Sequence, residues 1–486
     1  MDHIAARVSK LCVNKYCFKL IAAAAMILTI LIGTLPMSLS PVWNGTIPDH
    51  RDQYERMSQS ILHGHLYLEY EDIDPRLSVM ENPYDPQARQ ELGIYFRWDH
   101  AFYNGKYYMY FGVVPVFLLF LPYQILTGNP LTTYKATQIF TAGTIIGIFL
   151  LFFYLRKKLF PRLPFGLCLA LSMVLSFVSV WYAITAPALY CTAIMSAICM
   201  EMISMNLMAR VVWNTEQSAK KEIIQLTVAS LCAALAFGCR PTIALAGSLQ
   251  IPMLYQYMRE RKSKSVRIRA CIAVAVPYLL TAALLMWYNY ARFDSVWEFG
   301  QSYQLTVADQ HEYSFWKEFR LGKVLNGFVY QFASWTPIGQ SFPYVSYAGI
   351  LIAFPVLLCI NTLVHGSVQN LVKEKRLFGT TCMLLILPIC ITVMDTVYTP
   401  YMVTRYQLDI NFVLSIVCFL SVGFRYETIL ECQKLKKRFL VFVWLLIAIT
   451  LINFSLLLLV PYDGNATAND PQLLIKIENL ITWWKK

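Results

Sequence analysis

Carboxylates, arginines and aromatics gathered at a few points of a very apolar chain are the residues that could carry chemistry. Segment 48–69, PDHRDQYERMSQSILHGHLYLE, opens with Asp49 and Asp52. Either carboxylate, just past an apolar run, suits a general base that takes a proton from a hydroxyl. The plain alternative is a helix cap: Asp is a favoured N-cap, and Met57, Ile61 and Leu62 follow at helical spacing up to Gly64. Downstream, WDHAFYNGKYYMYFG (98–112) offers Asp99 as a second acid, His100 as a substrate contact and Lys106 as a phosphate contact. Arg240, in FGCRPTIAL, and Arg405, in YMVTRYQLDINF, border apolar runs, where an arginine either snorkels to the interface or binds an anion. Arg405 and Asp409 are four apart, so an ion pair along one helix competes with a reading in which two arginines converge on a phosphate. Segment 287–305, WYNYARFDSVWEFGQSYQL, mixes aromatics with Arg292, Asp294, Glu298 and Tyr303. Such mixtures surround sugar rings, and they also make an interfacial aromatic belt. Glu-Asp-Ile-Asp (71–74) reads as a turn before Pro75 rather than a metal site, and Glu201 inside an apolar run needs a partner or a water pocket.

The elements that hold these residues follow from composition. Of 486 residues 57% are hydrophobic and only 14% charged, and mean hydropathy is +0.48. A soluble domain carries roughly 25% charged residues, so the chain reads as an integral membrane protein. The 13 cysteines lie in apolar or basic stretches without metal-binding spacing and read as packing residues.

Apolar runs near 20–40, 136–155, 164–184, 187–209, 223–239, 241–258, 270–290, 346–365, 377–397, 407–424 and 439–460 predict an all-α polytopic fold of eleven transmembrane helices. The whole chain, 1–486, is one integral membrane domain. Two long polar loops, 41–135 and 291–345, interrupt the series, and 462–486 forms an interfacial tail with Leu473, Leu474, Ile477, Leu480, Ile481 and Trp484 at helical spacing. Residues 111–127 are apolar but short and contain Pro115 and Pro122. If they do not span, 25 of the 41 Lys and Arg residues fall in 1–19, 156–162, 210–222, 259–269, 373–376 and 425–438, all on one side. The positive-inside rule makes that side cytoplasmic. The N-terminus is then inside, the long loops and the C-terminus are outside, and 111–127 is a surface helix. Asn104-Gly105 between alternating aromatics predicts a β-hairpin with a type I′ turn.

The motifs Asp52-Gln53-Tyr54, NPYDPQAR (82–89), WDHAFYNGKYYMYFG, YNYARF with EFGQSYQL (288–305) and TRYQLD (404–409), together with Lys135 opening the next span, resemble the GT-C superfamily of polytopic membrane glycosyltransferases. Protein O-mannosyltransferases and the lipid A aminoarabinose transferase belong to it. The resemblance is firm over 49–155 and looser to about 410. It implies a bacterial cell-envelope enzyme that moves a sugar, with inversion, from a polyprenyl-phosphate donor to an extracytoplasmic glycan, lipid or protein acceptor. A first-loop Asp, carried over as Asp52 or Asp49, is the base or the holder of a divalent cation (Mg or Mn), with Tyr54 beside it at the substrate. Arg240 and Arg405 stabilise the departing phosphate. The Asp-Glu dipeptide of many relatives is missing here, which leaves the metal open. Rival readings are a lipid-linked glycan polymerase or ligase, and a transporter or flippase.

Overall fold

A bilayer offers no water to backbone N–H and C=O groups, so long apolar segments must be helical. A computed structural model of the protein describes residues 2–39, 51–214, 216–261, 263–335, 339–399, 401–461 and 465–482, with the side chains of 2–15 and Phe315 outside the description. The first half holds α1 (Asp2–Thr34), α2 (Gln53–Leu62), α3 (Pro86–Glu91), β1 (His100–Tyr103), β2 (Lys106–Tyr108), α4 (Leu121–Thr127), α5 (Thr133–Leu159), α6 (Phe165–Thr185), α7 (Leu189–Trp213) and α8 (Ala219–Phe237). The second half holds α9 (Pro241–Ala244), α10 (Gln250–Glu260), α11 (Lys264–Phe293), β3 (Gln304–Leu305), α12 (Phe315–Glu318), α13 (Leu321–Phe328), α14 (Ile350–Ala353), α15 (Gly366–Glu374), α16 (Phe378–Tyr398), α17 (Gln407–Thr428), α18 (Gln433–Leu457), α19 (Ala466–Asn469) and α20 (Pro471–Ile481).

Among the described residues eight helices are long and apolar enough to cross a membrane: α1 with its continuation to Leu39, α5, α6, α7, α11, α16, α17 and α18. A ninth counts if the 3-10 segment Pro355–Val364 and α15, bent by 78°, make one span. The other expected spans differ for local reasons. Run 223–239 is the apolar part of α8, whose first turn carries Lys220, Lys221 and Glu222. Run 241–258 breaks into α9, a 3-10 turn (Leu245–Leu249) and α10. Pro252 has no N–H to give the carbonyl of Ser248, four residues back, so a regular helix cannot run through. In run 346–365, Pro355 likewise ends α14, and the chain resumes as a tighter 3-10 helix.

Helix α17 is the hub. It packs against α6, α16 and the 355–364 segment, and its apolar stretch is wholly buried. Helices α5, α7, α8 and α11 form a contiguous row beside it. By contrast α1 and α11 bury about a fifth of their apolar windows, leaving residues such as Leu279 and Leu284 facing outward. An exposed apolar stripe of that kind is what lipid tails cover. Small polar residues seal the centre: Asn411 donates to the Val178 carbonyl and Ser179 to Ser415.

The first loop is a folded unit. Tyr54, Met57, Leu68, Phe102, Tyr107 and Phe120 share a core with Leu305 and Tyr288 from beyond the helical row. The hairpin forms as expected: Asn104 and Gly105 both have positive φ (48° and 74°), and Phe102 faces Tyr107. A third strand, β3 from the second loop, pairs antiparallel with β1, giving the order β2-β1-β3. Segment Val116–Thr127 is one short helix of π and then α geometry. At 1.5 Å per residue it is only about 18 Å long, too short for a core roughly 30 Å thick. In the tail, α20 forms over the expected stripe, with Leu473, Leu474 and Ile477 half-buried and Leu480 exposed; Trp484 lies outside the described residues. The twelve cysteines with described side chains are all free thiols.

Candidate active site

The sheet, the start of α7, the link between α8 and α9 and the start of α17 enclose a cavity of about 200 Å³. Its wall brings together Asp99, Arg240 and Arg405, three residues up to 306 positions apart in the chain. Tyr110, Tyr190, Tyr398, Tyr401, Tyr406 and Trp98 supply aromatic faces, and Gln301, Gln304 and Gln310 supply amides.

Asp99 is placed by strand pairing. It precedes β1, its N–H donates to the Leu305 carbonyl, and its carbonyl accepts from Gln53 on α2. Its φ of 55° is left-handed, a conformation that Asp tolerates better than most residues. One carboxylate oxygen accepts from Gln304 Nε2 at 2.9 Å and the other from the Tyr190 hydroxyl. A carboxylate has about four lone-pair sites, so both oxygens can still accept another hydrogen.

The two arginines differ. Arg240 Nε donates to Asp409 Oδ2 at 2.6 Å, and Thr242 Oγ1 donates to the same oxygen at 2.9 Å. Asp409 therefore pairs across helices with Arg240 and not along its own helix with Arg405. Arg405 lies over the Tyr190 ring at 4.0 Å and has no carboxylate partner among the described residues. Its charge faces the cavity. Asp395 of α16 lies buried nearby with Oδ2 unbonded. Burial pushes the Tyr110 hydroxyl up to about 12.

The other candidates stand elsewhere. Asp52 occupies the N-cap position of α2 but makes no capping bond; it pairs with Arg56 at 2.7 Å. Asp49 lies outside the described residues. Tyr54 is buried under Phe120, 5.3 Å between ring centres, and burial raises its hydroxyl well above the usual tyrosine range. His100 is buried and bonded to the Tyr70 hydroxyl and the Trp98 carbonyl. Lys106 stands over Tyr67 at 4.2 Å, lining a second cavity with Arg56 and Arg97. Arg292 is buried and donates to the Met109 carbonyl and to Asn289, tying α11 to the first loop. Glu298 accepts from the N–H groups of Gly300 and Ser302, and Tyr303 packs on Tyr103 and Phe293, so both shape the second loop. On α2, Leu62 is exposed while Met57 is buried, so the helical stripe stops short of it. Asp74 caps the turn at Pro75 and is held at about 2 by Arg76.

Sequence reasoning missed Tyr190 and Gln304, and it offered Asp409 to Arg405 where Asp409 is the counter-ion of Arg240. Tyr190 follows Pro187 at the bend between two spans, which is a usable signal. Nothing local marks Gln304, and the local signal at Asp409 pointed to the wrong arginine. Among the described residues no three His, Cys, Asp or Glu side chains converge as a metal ligand set. Among the described residues Asp99 is the one carboxylate on the cavity wall, and a single carboxylate between two arginines does not make the several-oxygen set a divalent cation needs. Compared with known protein families, curated proteins and solved structures, the chain matches none.

Proposed function

We propose that the protein is a membrane glycosyltransferase that moves a sugar from a polyprenyl-phosphate donor to an extracytoplasmic acceptor. The observation that carries this reading is one cavity holding a hydrogen-bonded carboxylate, Asp99, and Arg405, a cation without a carboxylate partner among the described residues, amid tyrosines. Transfer to a hydroxyl needs a proton acceptor, and an anionic leaving group needs fixed positive charge. In this mechanism Asp99 takes the acceptor hydroxyl proton. The hydroxyl oxygen bonds the anomeric carbon from the face opposite the phosphate. The bond from that carbon to the phosphate oxygen breaks, its electron pair leaves with the phosphate, and Arg405 receives the anion. Asp52 and Asp49 remain alternative bases, and Arg240 supports the anion from behind its own ion pair.

Counted as crossings, α8, the broken α9–α10 segment and residues 350–374 bring the spans to eleven, with the cavity on the extracytoplasmic rim. The test is sugar transfer by the purified full chain from a panel of polyprenyl-phosphate sugars. Asp99→Asn should cut turnover by about 10²–10⁴-fold, with Asp52→Asn close to wild type. If Asp99→Asn keeps full turnover while Asp52→Asn loses it, the base moves to α2. If both keep it, the catalytic assignment fails.

A transporter is favoured by one observation: Glu201 of α7 lies buried beside Gly247 in the α9–α10 break, with no ion-pair partner among the described residues. Broken helices beside a mid-span acid are a transporter feature. Substrate uptake by proteoliposomes that Glu201→Gln abolishes, with no sugar transfer, would select this reading.

A further inference from the structure

At the other end of α16 from the Asp99–Arg405 cavity, a further cavity of about 370 Å³ lies between α10, α15 and α16. Phe378 lines it at one end of the helix, as Tyr398 lines the first at the other. Three cations face it: Arg259, Lys373 and Arg376. Among the described residues no carboxylate lines it, and Glu260 approaches Arg376 only at 4.0 Å. Arg259 and Lys373 have no carboxylate partner among the described residues; each leans on an aromatic ring, Tyr255 and Phe378, at 5.8 Å. The first turn of α16 opens into the same space without a side-chain cap, so its leading N–H groups lack helical acceptors. Gln256 is the independent sign of a ligand: it lines the cavity, is 8% exposed, and its Oε1, an acceptor, has no donor, so it suits a hydroxyl carried beside the phosphate, as on a glycerol headgroup.

Clustered cations and a helix N-terminus make an anion site, and the unbonded amide oxygen beside them can accept from a headgroup hydroxyl. The surroundings say which anion. The cavity sits where a membrane-crossing helix begins, most of its lining is apolar, and Tyr255 and Phe378 are exposed at its mouth. We infer that this cavity binds the phosphate headgroup of an anionic phospholipid, with the acyl chains running along α10 and α16. Basic pockets between spans on the cytoplasmic side bind such headgroups, and 259–269 and 373–376 are among the segments that hold most of the Lys and Arg residues.

The experiment reconstitutes the full chain in phosphatidylcholine nanodiscs doped with phosphatidylglycerol. Lipids retained through mild detergent purification are then counted by native mass spectrometry. Wild type should retain phosphatidylglycerol in clear preference to phosphatidylcholine. Arg259→Gln with Lys373→Gln should reduce that retention by about fivefold for each cation removed. Lys434→Gln with Lys437→Gln, exposed on α18 and away from the cavity, should change it less than about twofold. Equal retention of both lipids by wild type overturns the proposal, and so does an equal loss in the two double variants. Millimolar inorganic phosphate should leave the lipid in place; displacement would assign the cavity to free phosphate and overturn the lipid. If the cavity variant fails to fold, the wild-type preference and the phosphate competition still decide.

Discussion

Arg240 and Arg405 share a cavity wall, yet their environments give them opposite consequences on removal. Asp409 is fully buried and relies on Arg240 for its counter-charge. Removing one partner of a buried pair leaves the other charge uncompensated and costs about 3–5 kcal/mol. Arg240→Ala should therefore lower Tm sharply and give poor membrane-inserted yield. Arg405 loses its stacking on Tyr190 and its weaker contact with the Tyr406 ring, together about 1 kcal/mol. Arg405→Ala should keep its Tm nearly unchanged while the apparent donor KM rises, which thermal unfolding and transfer kinetics on one preparation will check. Unchanged KM with a large fall in Tm would make Arg405 a structural residue. The residue types were legible in the sequence: both arginines and Asp99 announced themselves as charges beside apolar runs. Their pairing was not. Spacing of four offered Arg405 to Asp409, but Arg240 reaches Asp409 across 169 positions, and only tertiary packing decides such a choice.

At the scale of elements, the cavity depends on how closely the first loop approaches the α8–α9 link. Val114 N–H donates to the Gly238 carbonyl at 3.0 Å, and a Cβ on Gly112 would lie 2.1 Å from that carbonyl oxygen. Gly112→Ala must push the link aside, and Arg240 is two residues beyond it. Overpacking of this kind costs about 1–3 kcal/mol; transfer should fall with it, while Gly166→Ala, with open space around its Cβ position, should leave both Tm and transfer unchanged. Helix α2 holds α5 in a second way: Glu55 accepts from the Thr133 N–H at 2.6 Å and from its hydroxyl at 3.0 Å, capping the first turn of α5. Burial raises the Glu55 carboxyl above its usual 4.5. The folded state thus holds that proton more tightly than the unfolded chain, so the charged form weakens folding above the raised value. The penalty disappears as pH falls through it towards 4.5. Glu55→Gln, which keeps an acceptor, should raise Tm at pH 8 and lose that advantage near pH 4.5. Glu55→Ala should lower Tm at both, since a lost cap costs about 0.5–2 kcal/mol. The hairpin was legible because Asn-Gly forces its turn, and α2 because its stripe and Gly64 are local. Strand β3 was not: its pairing with β1 joins segments about 200 residues apart and leaves no periodic trace in a two-residue strand. Pro252 and Pro355 were visible, but hydropathy averaging passed over them.

For the whole molecule, sidedness decides whether the two cavities can do what is assigned to them. They line opposite ends of α16, so they face opposite sides of the membrane if α16 crosses it. The crossing helices were legible as apolar runs, because length and hydropathy are summed over about 20 residues and tolerate local error. Orientation rests on charge alone: 25 of 41 Lys and Arg residues lie in the segments on the Lys373 side. Single-cysteine labelling in intact cells separates the two orientations. The exposed native thiols, Cys17, Cys271, Cys390 and Cys432, are first replaced by serine, and Cys12 with them; the other cysteines are buried or half-buried. A membrane-impermeant maleimide should then label Lys106→Cys from outside, because Lys106 is exposed on the hairpin. Lys373→Cys should label only after permeabilisation. The reverse pattern would put the Asp99–Arg405 cavity in the cytoplasm, away from any extracytoplasmic acceptor, and the glycosyltransferase proposal would fall with it. The phospholipid cavity would survive that outcome as an anion site, since its geometry does not depend on which leaflet supplies the headgroup.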